Sequence, residues 1–182
     1  TMEYYNAKPK FSKPSKMPCR SWSLQALDTC PASKDDNGDL VPACKGCYAT
    51  TGNYRFPNVK APRVHNREDW QQSDWVLVMS QELDNDRYFR WFDSGDVQST
   101  AMANNILDIC EDTQNLTHWI PSRETKIWKN VLKHRKLPSN VTLRVSAAMI
   151  DGKPSKQFSN TSTVHTSESN VQSGTHICPA PK

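Results

Sequence analysis

An alternation of strand-like and helix-like segments between residues 88 and 145 constrains the fold of this chain most. Strand-like runs are predicted at residues 88–92, 117–120 and 141–145. Between them, apolar residues recur at helical spacing, first at Met102, Ile106 and Ile109 and then at Ile127, Trp128, Val131 and Leu132. Strands and helices at such short intervals are typical of parallel βαβ units with right-handed crossovers. The chain is therefore predicted to be an α/β protein.

The residues on either side of this alternation have a different character. Residues 8–62 contain seven prolines and little periodicity, which predicts irregular structure. A helix is predicted from Asn66, as its N-cap, to about Leu83. Serine and threonine dominate after Asp151, so order is expected there only at residues 161–164. We predict one domain with four parts: a basic arm (1–16), a cysteine-rich loop region (17–65), a βα core (66–151) and a polar C-terminal segment (152–182).

The composition is unlike that of a membrane or secreted protein. No run approaches the roughly 18 apolar residues that a membrane span needs. Residues 1–16 have no apolar h-region, so no signal peptide is recognised and a cytoplasmic location is expected. The net charge is +4 and the charges are scattered. The two densest basic stretches, residues 8–16 and 126–136, are interpreted as solvated surface, with an anionic partner as the alternative.

The cysteines carry the strongest chemical information in the sequence. Six are present, and in a secreted protein they would suggest three disulfides. In a reducing compartment, clustered cysteines are more often metal ligands or catalytic thiols. Cys44 and Cys47 are separated by two residues, with the flexible Gly46 between them, and thirteen residues separate Cys30 from Cys44. These three cysteines are predicted to bind a metal, although a redox pair or a chance spacing would also account for Cys44 and Cys47.

Two kinds of metal centre are compatible with three thiolates. A tetrahedral zinc site needs a fourth ligand, for which the candidates are Cys19, Cys178, His65 and His176. A [4Fe-4S] cluster can instead leave one iron open to a substrate or cofactor. Cys110 lies on the apolar face of a predicted helix and is interpreted as a buried core thiol.

Polar side chains follow each predicted strand of the core. In parallel sheets and barrels, ligands bind at the carboxyl ends of the strands. The residues at those ends are Ser94-Gly95-Asp96, Ser122-Arg123 and Ser146, so they are predicted to share one edge of the sheet. The alternative for Asp96 is a helix-capping carboxylate, and for Arg123 a surface cation.

Several short motifs, taken in order, make the chain resemble the phage gene-product-88-like family. They are Met17-Pro18-Cys19, Cys30-Pro31, Cys44-Lys45-Gly46-Cys47-Tyr48-Ala49, Gly52-Asn53-Tyr54, Ser94-Gly95-Asp96 and Ile177-Cys178-Pro179-Ala180. That family is similar in turn to radical S-adenosylmethionine (SAM) proteins. The resemblance implies a partial βα barrel, and a first loop whose cysteines hold a [4Fe-4S] cluster. The ligand spacing of radical SAM proteins is three then two, whereas here it is thirteen then two, and the extra residues are expected to form a surface excursion.

The resemblance also implies roles for the residues at the strand ends. Ser94, Gly95 and Asp96 match the motif that meets the SAM amino group, and Ser122 and Arg123 are in position for its carboxylate. Arg144 and Ser146 are expected beside the ribose, and Tyr48 is the aromatic residue next to the last cysteine.

Two functions from different classes follow. The first is a radical-SAM-like enzyme of unknown substrate, acting in the cytoplasm of an infected host cell. The second is a non-enzymatic zinc or iron-sulfur protein that engages a host protein or nucleic acid. A member that keeps the fold without the cluster is a third reading.

Overall fold

A six-stranded sheet carries its strands in the order in which they occur along the chain. This is a computed structural model, and it describes residues 4–179; the start of the predicted basic arm and residues 180–182, including the last residue of the Cys178-Pro179-Ala180 motif, lie outside it. The strands are β1 (Phe11–Ser12), β2 (Arg20–Trp22), β3 (Tyr88–Trp91), β4 (Thr117–Ser122), β5 (Val141–Ser146) and β6 (Thr161–Ser162). β1 pairs with β2 in antiparallel fashion, and every other pairing is parallel.

The α/β class and the parallel βαβ units are therefore confirmed. A sequential strand order is the winding expected of a βα barrel, but the sheet between residues 4 and 179 keeps two edges, β1 and β6. The partial-barrel description stays a prediction.

Five α-helices connect these strands. They are α1 (Pro42–Lys45), α2 (Pro57–Asp69), α3 (Trp75–Leu83), α4 (Thr100–Asp112) and α5 (Thr125–Leu132). Helices α4 and α5 lie where the apolar spacing predicts them. In the part of the chain that the structure describes, no helix combines the length and the apolar character that a membrane span requires.

The single helix predicted from Asn66 to Leu83 is wrong. Helix α2 already begins at Pro57, because a proline is tolerated at the first helical position, where its missing N–H costs no bond. The chain then turns at residues 70–74 before α3 begins. Asn66 is buried inside α2 and does not cap it; its amide donates to the carbonyls of Lys10 and Ser23.

Two further features differ from the sequence prediction: the end of β4 and the presence of β2. Strand β4 does not end before Pro121 but continues to Ser122. Its last residue paired with β3 is Trp119, so the missing N–H of Pro121 lies beyond that ladder. In the region predicted to be irregular, Arg20–Trp22 forms β2, a strand too short to show a period-two pattern.

The sheet has one fully buried face and one half-buried face. Phe89, Trp91, His118 and Ile120 alternate toward the buried face, whose core also contains the helical residues Trp75, Met102, Ile106 and Trp128. Cys110 belongs to this core and is fully buried, as its position on an apolar helix face predicts. Of the intervening residues of β3, β4 and β5, Tyr88 and Thr117 are exposed and the others are half-buried, among them Arg90, Trp119 and Arg144. This second face is polar as well as apolar, which suits it to contact a ligand.

His118 makes the buried face sensitive to acid. Its ring is fully buried; Nδ1 accepts from the Trp91 indole at 3.1 Å, and Nε2 lies 2.8 Å from the Thr113 hydroxyl. Burial lowers the pKa of His118 to about 4. The pKa of histidine in the unfolded chain is about 6.5. At pH values between this pKa and the native pKa of about 4, the unfolded chain binds a proton at His118 that the native chain does not, so the free energy of unfolding falls as pH falls.

We therefore expect His118→Gln to flatten the decline in unfolding free energy between pH 6.5 and 4, measured by urea titration at several pH values. The exposed His134→Gln is the control and should leave that slope unchanged. An identical slope in the parent protein, His118→Gln and His134→Gln would contradict the assignment of this pH dependence to His118.

Candidate functional site

A cavity of about 420 Å³ opens where β3 and β4 end, and the cysteine-bearing loop forms its other wall. Cys30, Cys44 and Cys47 all line it. From the strand ends it is lined by Ser94, Gly95, Asp96, Ser122, Arg123 and Ser146, and Tyr48 lines it as well. The residues predicted separately from the cysteine spacing and from the strand-end rule thus line one cavity.

The cysteine loop has little regular structure but is well connected. Cys30 precedes the short 3-10 turn Pro31–Ser33, Cys44 lies in α1, and Cys47 precedes the turn Tyr48–Thr50. Lys34 and Leu40 form an isolated antiparallel bridge, and residues 34–39 are exposed. The additional residues between Cys30 and Cys44 thus form an exposed loop closed by the Lys34–Leu40 bridge, and both cysteines remain at the cavity.

The thiols share this cavity without forming a ready-made coordination sphere. Among residues 4–179, no group of three or more His, Cys, Asp or Glu side chains is arranged closely enough to hold a metal ion. Burial, followed by the nearby Asp96 carboxylate, raises the pKa of Cys30 to about 12, and burial also raises the pKa of Cys44. A metal would have to displace these protons and draw the thiolates together, as happens when metal binding is coupled to local folding. The thiol chemistry suits zinc or an iron-sulfur cluster.

Asp96 joins the ends of β3 and β4. Its carboxylate accepts from the Ser122 hydroxyl, from the Arg123 backbone N–H and from the Val97 backbone N–H, each at 2.7 Å. The side chain is buried, and this burial raises its pKa to about 6 in spite of the three bonds. The Ser122 hydroxyl also accepts from the Trp128 indole at 2.9 Å. Asp96 and Ser122 are thus engaged with the protein itself and hold Arg123 in place.

Asp93 and Ser94 are held from the opposite side by a buried arginine. Arg63, on α2, donates to both carboxylate oxygens of Asp93 at 3.0 and 2.9 Å and to the Ser94 hydroxyl at 2.6 Å. Asp93 also accepts from the Ser23 hydroxyl, and its backbone carbonyl accepts from the Tyr48 hydroxyl at 2.7 Å. This network attaches α2 and the cysteine loop to the end of β3.

Glu124 and Arg123 retain polar atoms that are available to a ligand. One oxygen of the buried Glu124 accepts from the Ala32 N–H at 2.7 Å, and no other bond to this carboxylate is found among residues 4–179. Burial raises the pKa of Glu124 to about 7. Arg123 donates to the carbonyls of Ala147 and Ala148, whereas its buried Nε has no hydrogen-bond partner in the described part of the chain. A carboxyl group and a guanidinium group are thus both present in the same cavity.

The cavity also contains strained backbone. Leu27 and Phe92 both line it and adopt left-handed conformations, with φ of 67° and 56°. Such conformations cost energy in residues with a side chain and cluster at functional sites.

The match to a family model decides the family of this chain. The model for gene product 88 matches residues 3–179. The chain belongs to the gene product 88 family. No curated protein and no solved structure matches it significantly. Membership in the gene product 88 family confirms that part of the sequence interpretation, whereas the similarity to radical SAM proteins stays a prediction.

Some predicted ligands of this gene product 88 family member lie outside the cysteine cavity. Cys19 is buried beside Arg90 but does not line it. Cys178, His176 and Arg144 line a different cavity. His65 is exposed; its Nε2 donates to the Lys8 carbonyl at 2.8 Å and lies 3.5 Å from the Asp69 carboxylate. None of the four candidate fourth ligands, Cys19, Cys178, His65 and His176, lines the cavity that contains Cys30, Cys44 and Cys47.

Three polar residues of the gene product 88 site were missed by the sequence reasoning. Arg63 and Asp93 look like ordinary surface charges in the sequence, because their partners lie 30 residues away. Glu124 directly follows Ser122-Arg123, so extending the strand-end rule by one residue would have included it.

Replacing Asp96 with asparagine tests the junction between β3 and β4. An amide offers only one acceptor oxygen and turns its NH₂ toward a donor, so Asp96→Asn should lower the unfolding free energy by about 1–3 kcal/mol. Urea unfolding of the metal-free protein at pH 7.5 measures this, with the exposed Asp36→Asn as the matched control. Equal stability of the two variants would show that the Asp96 bonds are dispensable.

Proposed function

We propose that this protein is an iron-sulfur enzyme of radical-SAM-like type, whose [4Fe-4S] cluster is held by Cys30, Cys44 and Cys47. The single observation that carries the proposal is that the three cysteines and the polar ends of β3 and β4 line one cavity. Three cysteine ligands leave one iron free for a cofactor, and the cavity volume of about 420 Å³ lies within the range of small-molecule sites. When bound, a reduced cluster supplies an electron to SAM.

The side chains around the cavity suit a zwitterionic cofactor. One carboxylate oxygen of Glu124 is available to bind a cationic group of a ligand. The Nε atoms of Arg123 and Arg90 are buried and have no hydrogen-bond partner among the described residues. Both arginines line the cavity, and a guanidinium binds a carboxylate with directed hydrogen bonds. In this proposal Asp96 and Ser122 are positioning residues that act through Arg123. Ser94, Gly95 and Ser146 contribute to the wall of the cavity.

A zinc site is the second candidate, and one observation favours it. Glu124 lines the same cavity as the three cysteines, so its carboxylate is available as a fourth ligand. Such a closed site would support the non-enzymatic reading, in which the protein engages a host protein or nucleic acid. Either centre needs reduced thiols, which is consistent with action in the cytoplasm of an infected cell.

Metal analysis of anaerobically purified protein separates these functions. We expect a brown protein with about four irons and four acid-labile sulfides per chain, and a spectrum that changes when SAM is added. One zinc and no colour would favour the closed site, and a protein without metal would contradict both.

The cysteine variants test the ligand assignment. Cys44→Ala and Cys47→Ala should each lose most of the bound metal, because each removes one of three ligands and leaves the loop unable to close. Cys178→Ala is the control, since Cys178 is exposed and lies at a different cavity. Full metal content in the Cys44 and Cys47 variants would exclude these cysteines as ligands.

A further inference from the structure

A second, larger cavity lies on the half-buried face of the sheet. Its volume is about 1000 Å³. β4 and β5 form one wall through Trp119, Pro121 and Arg144, and residues 161–178 of the polar C-terminal segment form the other. The sequence analysis assigned no function to this segment.

The two cavities are neighbours. Pro121 and Val164 line both of them, so a molecule in the second cavity can extend toward the cysteine cavity past these two side chains. The Ser146 and Ser162 hydroxyls, 3.0 Å apart, tie the C-terminal segment to the sheet at this point.

The lining of the second cavity combines an aromatic surface with a cation. Trp119 is half-buried and lines the cavity, and the guanidinium of Arg90, a residue of the cysteine cavity, lies 4.9 Å from its ring centroid. Arg144, which is directly opposite Pro121 in the sheet register, donates to the Thr161 carbonyl at 3.1 Å through one of its nitrogens. A guanidinium carries five N–H donors, so most of its hydrogen-bonding capacity is left for a ligand.

One carboxylate shares the cavity with Arg144. Among the described residues that line the cavity, Glu168 is the one carboxylate and Arg144 is the one arginine or lysine. Asp151, which does not line the cavity, is 3.1 Å from the Nδ1 atom of His165 and pairs with that ring.

We propose that the second cavity binds a ligand made of a nucleobase and a phosphate, with the base against Trp119 and the phosphate at Arg144. Aromatic side chains stack on bases of any sequence, and arginine binds phosphate oxygens in a bidentate manner. The same chemistry occurs in a free nucleotide and in a single-stranded nucleic acid. The shared residues Pro121 and Val164 bring this ligand next to the cysteine cavity, so it would be the substrate of the enzyme; this role rests on the proposed function. The binding itself does not depend on the proposed function.

Binding is tested on the full chain with two probes, adenosine 5′-monophosphate and a single-stranded oligo-dA of ten nucleotides, by calorimetry at low salt. We expect a dissociation constant below about 1 mM for at least one probe. Arg144→Gln should weaken binding at least about tenfold, and Trp119→Leu by a similar factor. Arg135→Gln is the control, because Arg135 pairs with Asp108 and Glu111 on α4, away from the cavity. Tighter binding of oligo-dA identifies single-stranded nucleic acid as the source, and equal or tighter binding of the mononucleotide identifies a free nucleotide.

Failure of this proposal and failure of the proposed function are distinguishable. Cys44→Ala should lose metal but keep probe binding, because Cys44 does not line the second cavity. Binding to neither probe, or binding that Arg144→Gln and Trp119→Leu leave unchanged while both variants melt like the parent protein, would overturn the proposal. Absence of metal together with normal probe binding would overturn the enzyme and leave the binding site intact.

Discussion

Replacing Gly95 with alanine is expected to lower the free energy of unfolding by about 3 kcal/mol or more. Gly95 has a φ of +73°, which costs energy in any residue with a Cβ. A Cβ added there would also lie 2.7 Å from the Leu24 Cβ and 2.8 Å from the Leu24 carbonyl oxygen. The backbone after β2 would have to move away from the end of β3, and both segments line the cysteine cavity.

Two other glycines separate the causes of this loss. Gly38 has a φ of +85° with no atom within 4 Å of an added Cβ, so Gly38→Ala measures the backbone strain alone. Gly46, also without a neighbour within 4 Å, has an ordinary φ of −111° and controls for the substitution itself. Chemical unfolding of the three variants should rank them in the order Gly95, Gly38 and Gly46, from largest to smallest loss. A Gly95 variant no less stable than the Gly38 variant would contradict the close packing at this turn.

The second large effect is expected from Arg63→Met. Arg63 and Asp93 form an ion pair in which the side chains are 7% and 5% exposed. Breaking a buried pair from one side leaves a charge without its partner and costs about 3–5 kcal/mol. Since Arg63 also holds Ser94, the variant should lose stability and, with it, the shape of the cysteine cavity.

Thermal and urea unfolding of Arg63→Met should therefore show a much larger loss than Arg135→Met. Arg135 pairs with Asp108 and Glu111, whose side chains are 49% and 51% exposed, and such surface pairs contribute at most about 1 kcal/mol. Adding Asp93→Asn to Arg63→Met should recover part of the stability, because it removes the isolated charge. Equal losses in the Arg63 and Arg135 variants would show that the buried pair does not hold α2 to β3.

The elements of the core were predictable because their patterns are local. Each strand of the βα core and each of the helices α4 and α5 shows its own periodicity within about ten residues. The rule that parallel strands end at one edge then predicts that Asp96, Ser122 and Arg123 lie close together, and the hydrogen bonds between them bear this out. The start of helix α2 was not predictable in this way, because Pro57 and Pro62 are typical of a loop, whereas Pro57 is the first residue of the helix.

The sequence by itself determined the α/β class, the parallel βαβ units between residues 88 and 145, the placement of three cysteines in one loop region and the edge of the sheet where the polar strand-end residues lie. Tertiary structure alone decided which polar groups are still open to a ligand. The carboxylate oxygens of Asp96 accept hydrogen bonds from Ser122 and Arg123. Glu124 accepts from the Ala32 N–H, 92 residues away in the sequence, through one oxygen, and its other oxygen is available to a ligand in the cavity. Cys19 and Cys178 are candidate metal ligands in the sequence, yet neither lines the cysteine cavity. The physical reason is that periodicity and turn chemistry act between neighbours, while burial and hydrogen-bond satisfaction depend on which distant segments the packed core brings together.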